Sequence, residues 1–346
     1  MARNRFATSG EGGRRVRARG AVALLALLAG CTGLSGDTTS SAPSTAILAT
    51  IPASNAPVLL AASPDGARVY AAGDGALTVI DTASNAVLAT VPLNPQSTGI
   101  AVSPDGARVY VASLFSIDLQ VIDTATHAKL PSITMFLQEL RGGFGRMCVQ
   151  PDGDWIYIAN KANQAFGVLD LTGNRSNILK PTVWPVDMAI TPDGRTVVSV
   201  GCKQICTPGF VQLFDTAGQL FTQEIRVDGN PYRVVLAPDG GTAYVANLTG
   251  PSVSFVDLVT KTVTHTVRVP VQPTGLAIAP GGASLYVASQ TQGALSVVDV
   301  ASATLGAQLA VPQARDVVAA AGGRRVYVSS ENRVLAVDAA ALAAAP

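Results

Sequence analysis

The octapeptide SPDGARVY stands at residues 63–70 and returns unchanged at residues 103–110. A motif that recurs at a fixed step restricts a chain to architectures assembled from copies of one unit. With the Pro of each Pro-Asp-Gly-like turn as a marker, copies stand at Pro64, Pro104, Pro151, Pro192, Pro238 and Pro280. A degenerate seventh copy, AGGRRVY at 321–327, puts Ala321 in the marker position. The steps are 40, 47, 41, 46, 42 and 41 residues, the period of a propeller or a solenoid.

The grammar inside each unit decides between them. An apolar run such as GIAV (99–102) ends at the turn, and a second run such as RVYVAS (108–113) begins after it; Pro presets the first φ angle of that turn and Gly accepts a positive one. A third run closes on an aspartate at Asp81, Asp123, Asp170, Asp215, Asp257, Asp299 and Asp338, and a fourth, such as AVLATVPL (86–93), follows another polar turn. Four short strands in roughly 40 residues make a propeller blade. The 33 glycines and 21 prolines supply the turns that such a chain needs.

The ends fix the blade count. STAILATIPA (44–53) matches SNAVLATVPL (84–93) in register, so it is a fourth strand without a first three, whereas the seventh unit stops after its third strand at Asp338. Pairing these two incomplete pieces removes an open sheet edge. The expected fold is therefore all-β: a seven-bladed β-propeller of four-stranded antiparallel blades over residues 44–346, its ring closed by the N-terminal strand.

The second runs YAAG (70–73), YVAS (110–113), YIAN (157–160), YVAN (244–247), YVAS (286–289) and YVSS (327–330) resemble the YVTN-family β-propeller repeats of bacterial surface-layer and periplasmic proteins. The resemblance covers residues 44–338. It implies the fold and leaves the activity open, since related propellers include binding proteins and lactonases. Unit four departs from the pattern: VSVG (198–201) lacks the tyrosine, and a cysteine-bearing insertion follows.

Ahead of the repeats, residues 1–20 carry six arginines, residues 21–30 are the apolar run AVALLALLAG, and Cys31 follows at once. Such a segment reads as an export signal, too short for a spanning helix. Leu28-Ala29-Gly30-Cys31 resembles the lipobox of bacterial lipoproteins, which implies that Cys31 is acylated and holds the protein at a lipid bilayer in the cell envelope, periplasmic or surface-exposed. The expected divisions are a signal peptide over 1–30, lipidated Cys31 with a flexible tether to residue 43, and the propeller over 44–346. Residues 32–43, TGLSGDTTSSAP, are small and polar, as a tether requires. Without residues 1–30, Lys plus Arg falls from 24 to 18 and Asp plus Glu from 23 to 22, a net charge of about −4. With no basic stripe to offset that balance, a nucleic-acid partner is not expected.

Chemistry has few candidates. The two histidines, His127 in a turn and His265 in an outer strand, read as surface residues, so neither a His-dependent hydrolase nor a histidine metal site is expected. Neither metal nor cofactor is expected elsewhere. The spaced aspartates read as turn caps. Cys202 and Cys206 could pair, stay as thiols or ligate metal; with no further Cys or His near them in sequence and an exported chain, a disulfide is favoured. Cys148 falls in a column of alanines and is expected to be buried and inert.

One column does not read as packing. Five residues before each marker stand Leu59, Gly99, Arg146, Asp187, Arg233, Gly275 and Asp316, and the preceding column adds Tyr232 and Arg315. These positions open the innermost strands, so charges from several blades should converge on the channel mouth. Either they neutralise one another around a water-filled hole, or they receive a ligand. The insertion at 130–145 leads into Arg146 and is expected to rim one side of the mouth. The functional expectation is a monomeric, membrane-anchored, non-catalytic binding module. It takes a small polar or anionic ligand, or an envelope protein, through Arg146, Asp187, Tyr232, Arg233, Arg315 and Asp316. The alternative is a lactonase-like hydrolase in which Asp187 or Asp316 activates water and Arg146 or Arg233 holds the substrate's charge.

Overall fold

The computed structural model describes residues 46–53, 56–114, 116, 118–134, 145–173 and 175–344. They form seven four-stranded antiparallel sheets, six of them built from four strands consecutive in sequence. In blade one these are Leu59–Ala62, Arg68–Ala72, Ala76–Asp81 and Val87–Pro92, from the innermost outward. Blade seven takes three strands from the C-terminal end, Ala314–Ala320, Arg325–Ser330 and Arg333–Asp338, and its outermost strand is Ile47–Pro52. Ile51 lies opposite Val334 and Pro52 opposite Arg333, so the closure read from the two incomplete ends is the one the chain adopts. Asp338 then caps a short helix, Ala339–Ala343, by accepting from the Ala341 N–H at 2.9 Å.

Burial explains why the third runs read as continuous apolar stretches. Ala76–Asp81 and Ser252–Asp257 are buried along every residue but the terminal aspartate, because a blade packs a neighbour on each face. The core is accordingly divided into seven apolar clusters, one between each pair of adjacent blades. Leu77, Val79, Val109 and Val111 join blades one and two; Val69, Ile80, Tyr327 and Val334 join blade one to blade seven. Between blades three and four, Tyr157 of one meets Phe214 of the other edge-on, with ring centres 5.9 Å apart.

The turn motif does two things. In SPDG, Asp65 accepts from the Ser63 hydroxyl at 2.5 Å and the Ala67 N–H at 2.9 Å, and Asp105 repeats this with Ser103 and Ala107. The turn glycine has positive φ, 68° at Gly66 and 75° at Gly282, and its bare Cα faces the marker residue of the preceding blade. A Cβ at Gly106 would stand 3.6 Å from Pro64 Cδ, and one at Gly194, Gly240, Gly282 or Gly323 would stand 2.7–3.3 Å from the Cδ of Pro151, Pro192, Pro238 or Pro280. Proline-on-glycine contacts thus run round the ring and stop at the seam, where Ala321 faces Gly66. There the marker residue keeps an N–H, which donates to the Gly66 carbonyl at 2.9 Å. The degenerate seventh copy is the one that makes a hydrogen bond across the closure.

The third-strand aspartates cap turns as expected: Asp81, Asp123, Asp215, Asp257 and Asp299 accept backbone N–H groups two or three residues ahead at 2.6–3.1 Å. Cys202 and Cys206 form a disulfide with Cα atoms 4.7 Å apart. His265 lies exposed in the outer strand Thr262–Arg268, and His127 in a turn at φ 59°. Two expectations need correction. The segment 130–145 is not all insertion, since Lys129–Thr134 is the outer strand of blade two and only residues 135–144 lie outside the described part. Cys148 is unpaired but only half-buried, because it lies at the margin of the apolar cluster between blades three and four and not inside it. Residues 1–43, on which the expected signal peptide, lipidated Cys31 and tether fall, lie outside the described residues.

Candidate functional site at the channel mouth

The seven innermost strands follow one another around the central axis, each touching the next. In four blades the strand opens with a break in register: between Ser97 and Gly99, Pro185 and Asp187, Pro231 and Arg233, and Ala314 and Val317. A bulge carries a residue that faces no partner and re-aims its neighbours. The sequence columns containing Asp187, Tyr232, Arg233, Arg315 and Asp316 fall on these bulges. The two glycines of the column have another cause: a Cβ at Gly99 would lie 2.3 Å from the Gly145 carbonyl oxygen, and one at Gly275 2.8 Å from Asp316 Cα.

Four of the expected residues meet in one ion cluster. Arg233 bridges two carboxylates, with Nη2 on Asp316 Oδ1 and Nη1 3.7 Å from Asp187 Oδ2. Arg146 places Nη1 3.2 Å from Asp316 Oδ2. Blades three and seven are not neighbours, so the Arg146–Asp316 pair crosses the axis and locates the cluster over the channel.

The aspartates serve structure first. Asp316 is fully buried, and its Oδ2 also accepts from the Leu60 N–H of blade one at 3.0 Å. Asp187 of blade four accepts from the Val234 N–H of blade five at 2.9 Å. Each carboxylate therefore straps its own blade to the next one's innermost strand. Burial alone would push the Asp316 carboxyl up; the guanidiniums of Arg233 and Arg146 and the Leu60 N–H outweigh it and hold the group below the usual carboxylate range. A carboxylate so enclosed and so weakly basic is poorly suited to activating water.

The arginines divide. Burial works against the charge of Arg233, yet Asp316 and Asp187 more than offset it and raise its pKa. Arg146 moves the other way: burial and the like charge of Arg233 lower it, against the opposing pull of Asp316. Among the described residues Arg146 has one side-chain hydrogen bond for its five N–H donors, and 16% of its side chain remains exposed. Nε of Arg233 and Nε of Arg315 are buried with no acceptor among the described residues. Arg315 makes no ion pair among the described residues. Tyr232, on the bulge that precedes Arg233, is 37% exposed.

A supporting residue escaped the sequence reading. Ser329 Oγ accepts from the Asp316 N–H at 3.0 Å, inside the bulge of blade seven. Two residues after the tyrosine of the second strand, other blades carry Ala72, Ala112, Ala159, Ala246 and Ala288, so the serine in YVSS was the visible signal.

No family model matches the chain, and no curated protein matches it by sequence. Solved structures do. Hydrazine synthase of Kuenenia stuttgartiensis is similar over 90% of this chain and 100% of its own, with a TM-score of 0.75 at 18% identity. The β-propeller domain of Cps50 (Swd1) from Myceliophteria thermophila is similar over 84% of this chain and 98% of its own, with a TM-score of 0.72 at 11% identity. Both likenesses are of fold, and they agree with the ring of seven blades.

Proposed function

We propose that this propeller is a non-catalytic binding module of YVTN type that captures a small polar or anionic ligand at its channel mouth and is held at a membrane surface by acylated Cys31. The β-propeller fold is consistent with a binding role. The observation that carries the channel-mouth reading is the unequal neutralisation of the cluster. Arg233 is shared by two carboxylates, whereas Arg146 has one side-chain hydrogen bond among the described residues and stays 16% exposed. The anchor and the envelope location rest on the run from Arg3 to Cys31 alone.

The test is a melting-temperature screen of the full-length protein against anionic and neutral polar metabolites, with lactone hydrolysis measured in parallel. Ligand-dependent shifts that shrink in Arg146→Ala and Arg315→Ala support the reading. Turnover abolished by Asp187→Asn or Asp316→Asn would replace it with the hydrolase. A screen with neither shifts nor turnover would leave the cluster a structural brace.

A further inference from the structure

Resting on the reading of the channel mouth as a binding site, we propose that its ligand is a monocarboxylate. Its two oxygens accept from the unshared N–H groups of Arg146, and its body lies against Tyr232.

Charge sets the valence. Arg146 and Arg233 balance Asp187 and Asp316, so the cluster itself carries no net charge. A ligand with one negative charge adds the least repulsion to a group that is already balanced. A dicarboxylate or a phosphate dianion would overshoot beside two carboxylates that are 4% and 0% exposed, where water cannot screen the repulsion.

Geometry sets the head group. A guanidinium presents parallel N–H groups that match the two oxygens of a planar carboxylate. Arg233 has spent both terminal nitrogens on aspartates, but Arg146 has spent only Nη1. Its Nε and Nη2 have no acceptor among the described residues, and 16% of the side chain is exposed. An incoming carboxylate takes them without displacing Asp316.

Tyr232 supplies the remaining contact. It sits on the bulge that precedes Arg233, exposed although large. An aromatic ring with a polar tip at the rim favours a ligand with some apolar body over a bare ion.

Calorimetric titration of the full-length protein with acetate, benzoate, succinate and inorganic phosphate tests this. Benzoate should bind most tightly, acetate more weakly, and succinate and phosphate more weakly still. Arg146→Gln removes both the charge and the fork, and a thermal melt of the variant checks that the fold survives. The substitution should weaken benzoate by about tenfold or more. Tyr232→Ala should weaken benzoate and leave acetate nearly unchanged. Succinate or phosphate binding as tightly as benzoate, and losing affinity in Arg146→Gln, would overturn the monocarboxylate while leaving an anion site in place. Benzoate affinity unchanged in Arg146→Gln would overturn the seat on Arg146. If no anion binds the wild-type protein, both the ligand class and the channel-mouth reading fall.

Discussion

Arg146 and Arg233 occupy equivalent positions in blades three and five, yet the structure gives them different work, and mutation should separate them. Arg233→Ala leaves two enclosed carboxylates without their shared cation and should cost about 3–5 kcal/mol of unfolding free energy. Arg146→Ala removes one 3.2 Å contact at a partly open site and should cost roughly 1 kcal/mol. Equal losses in urea denaturation would show that the two arginines are one brace. The column that holds them was legible because charges stand out where other blades carry Leu59, Gly99 and Gly275. How the charges are shared was not legible, since it depends on which side chains cross the axis. Backbone donors such as the Leu60 and Val234 N–H groups leave no trace in a sequence at all. Cys31 belongs to this scale too: Cys31→Ser should abolish palmitate labelling, and labelling that persists would refute the lipobox reading.

At the scale of turns and strands, neighbouring glycines make a sharp comparison. Gly282 has a φ of 75° and would bring a Cβ within 3.3 Å of Pro238 Cδ, whereas Gly281 has nothing within 4 Å and no such φ. Gly282→Ala should lower stability by about 1 kcal/mol or more, and Gly281→Ala should be neutral or slightly stabilising; matched thermal melts of the two variants check this. The turn carboxylates carry a pH signature. Hydroxyls of Ser63, Ser84, Ser103, Thr126, Thr191 and Ser302, with nearby backbone N–H groups, hold Asp65, Asp81, Asp105, Asp123, Asp193 and Asp299 below the ordinary carboxylate value. In the unfolded chain these groups titrate near about 3.9. The stability they contribute is therefore complete above that pH and is lost as pH falls through the lower folded values. The urea midpoint should be flat from about pH 7 to 5 and fall below about pH 4; a midpoint unchanged at about pH 3 would contradict it. Strands and turns were the most readable level, because strand period and turn chemistry are local. The exception was residues 130–134, where KLPSIT has too little apolar character to announce an outer strand, and pairing with Asp118–Asp123 makes it one. The marker prolines were read only as turn formers; their second role, as the surface on which the next blade's glycine sits, needs two blades side by side.

For the whole molecule, the outermost strand of blade seven decides whether the ring is closed. Deleting residues 44–53 strips the partner from Arg333–Asp338 and exposes a long ladder edge, whereas deleting residues 32–43 touches no described strand. The first deletion should lower the melting temperature by many degrees and the second should leave it nearly unchanged; equal melting temperatures would mean that the strand is dispensable. The blade count was readable because both incomplete units were present in the sequence to be matched. The seam itself was only half readable, since Ala321 looked like decay of the repeat until its N–H was seen to reach Gly66. This arrangement also has a mechanical side. The chain enters the ring through the strand that locks it, so any pull arriving from the N-terminal side acts first on Ile47–Pro52 and peels it from Val337 toward Arg333. Tension along that route meets one antiparallel ladder, not seven blades in parallel, and the force at which the propeller yields is set by the strength of that single strand.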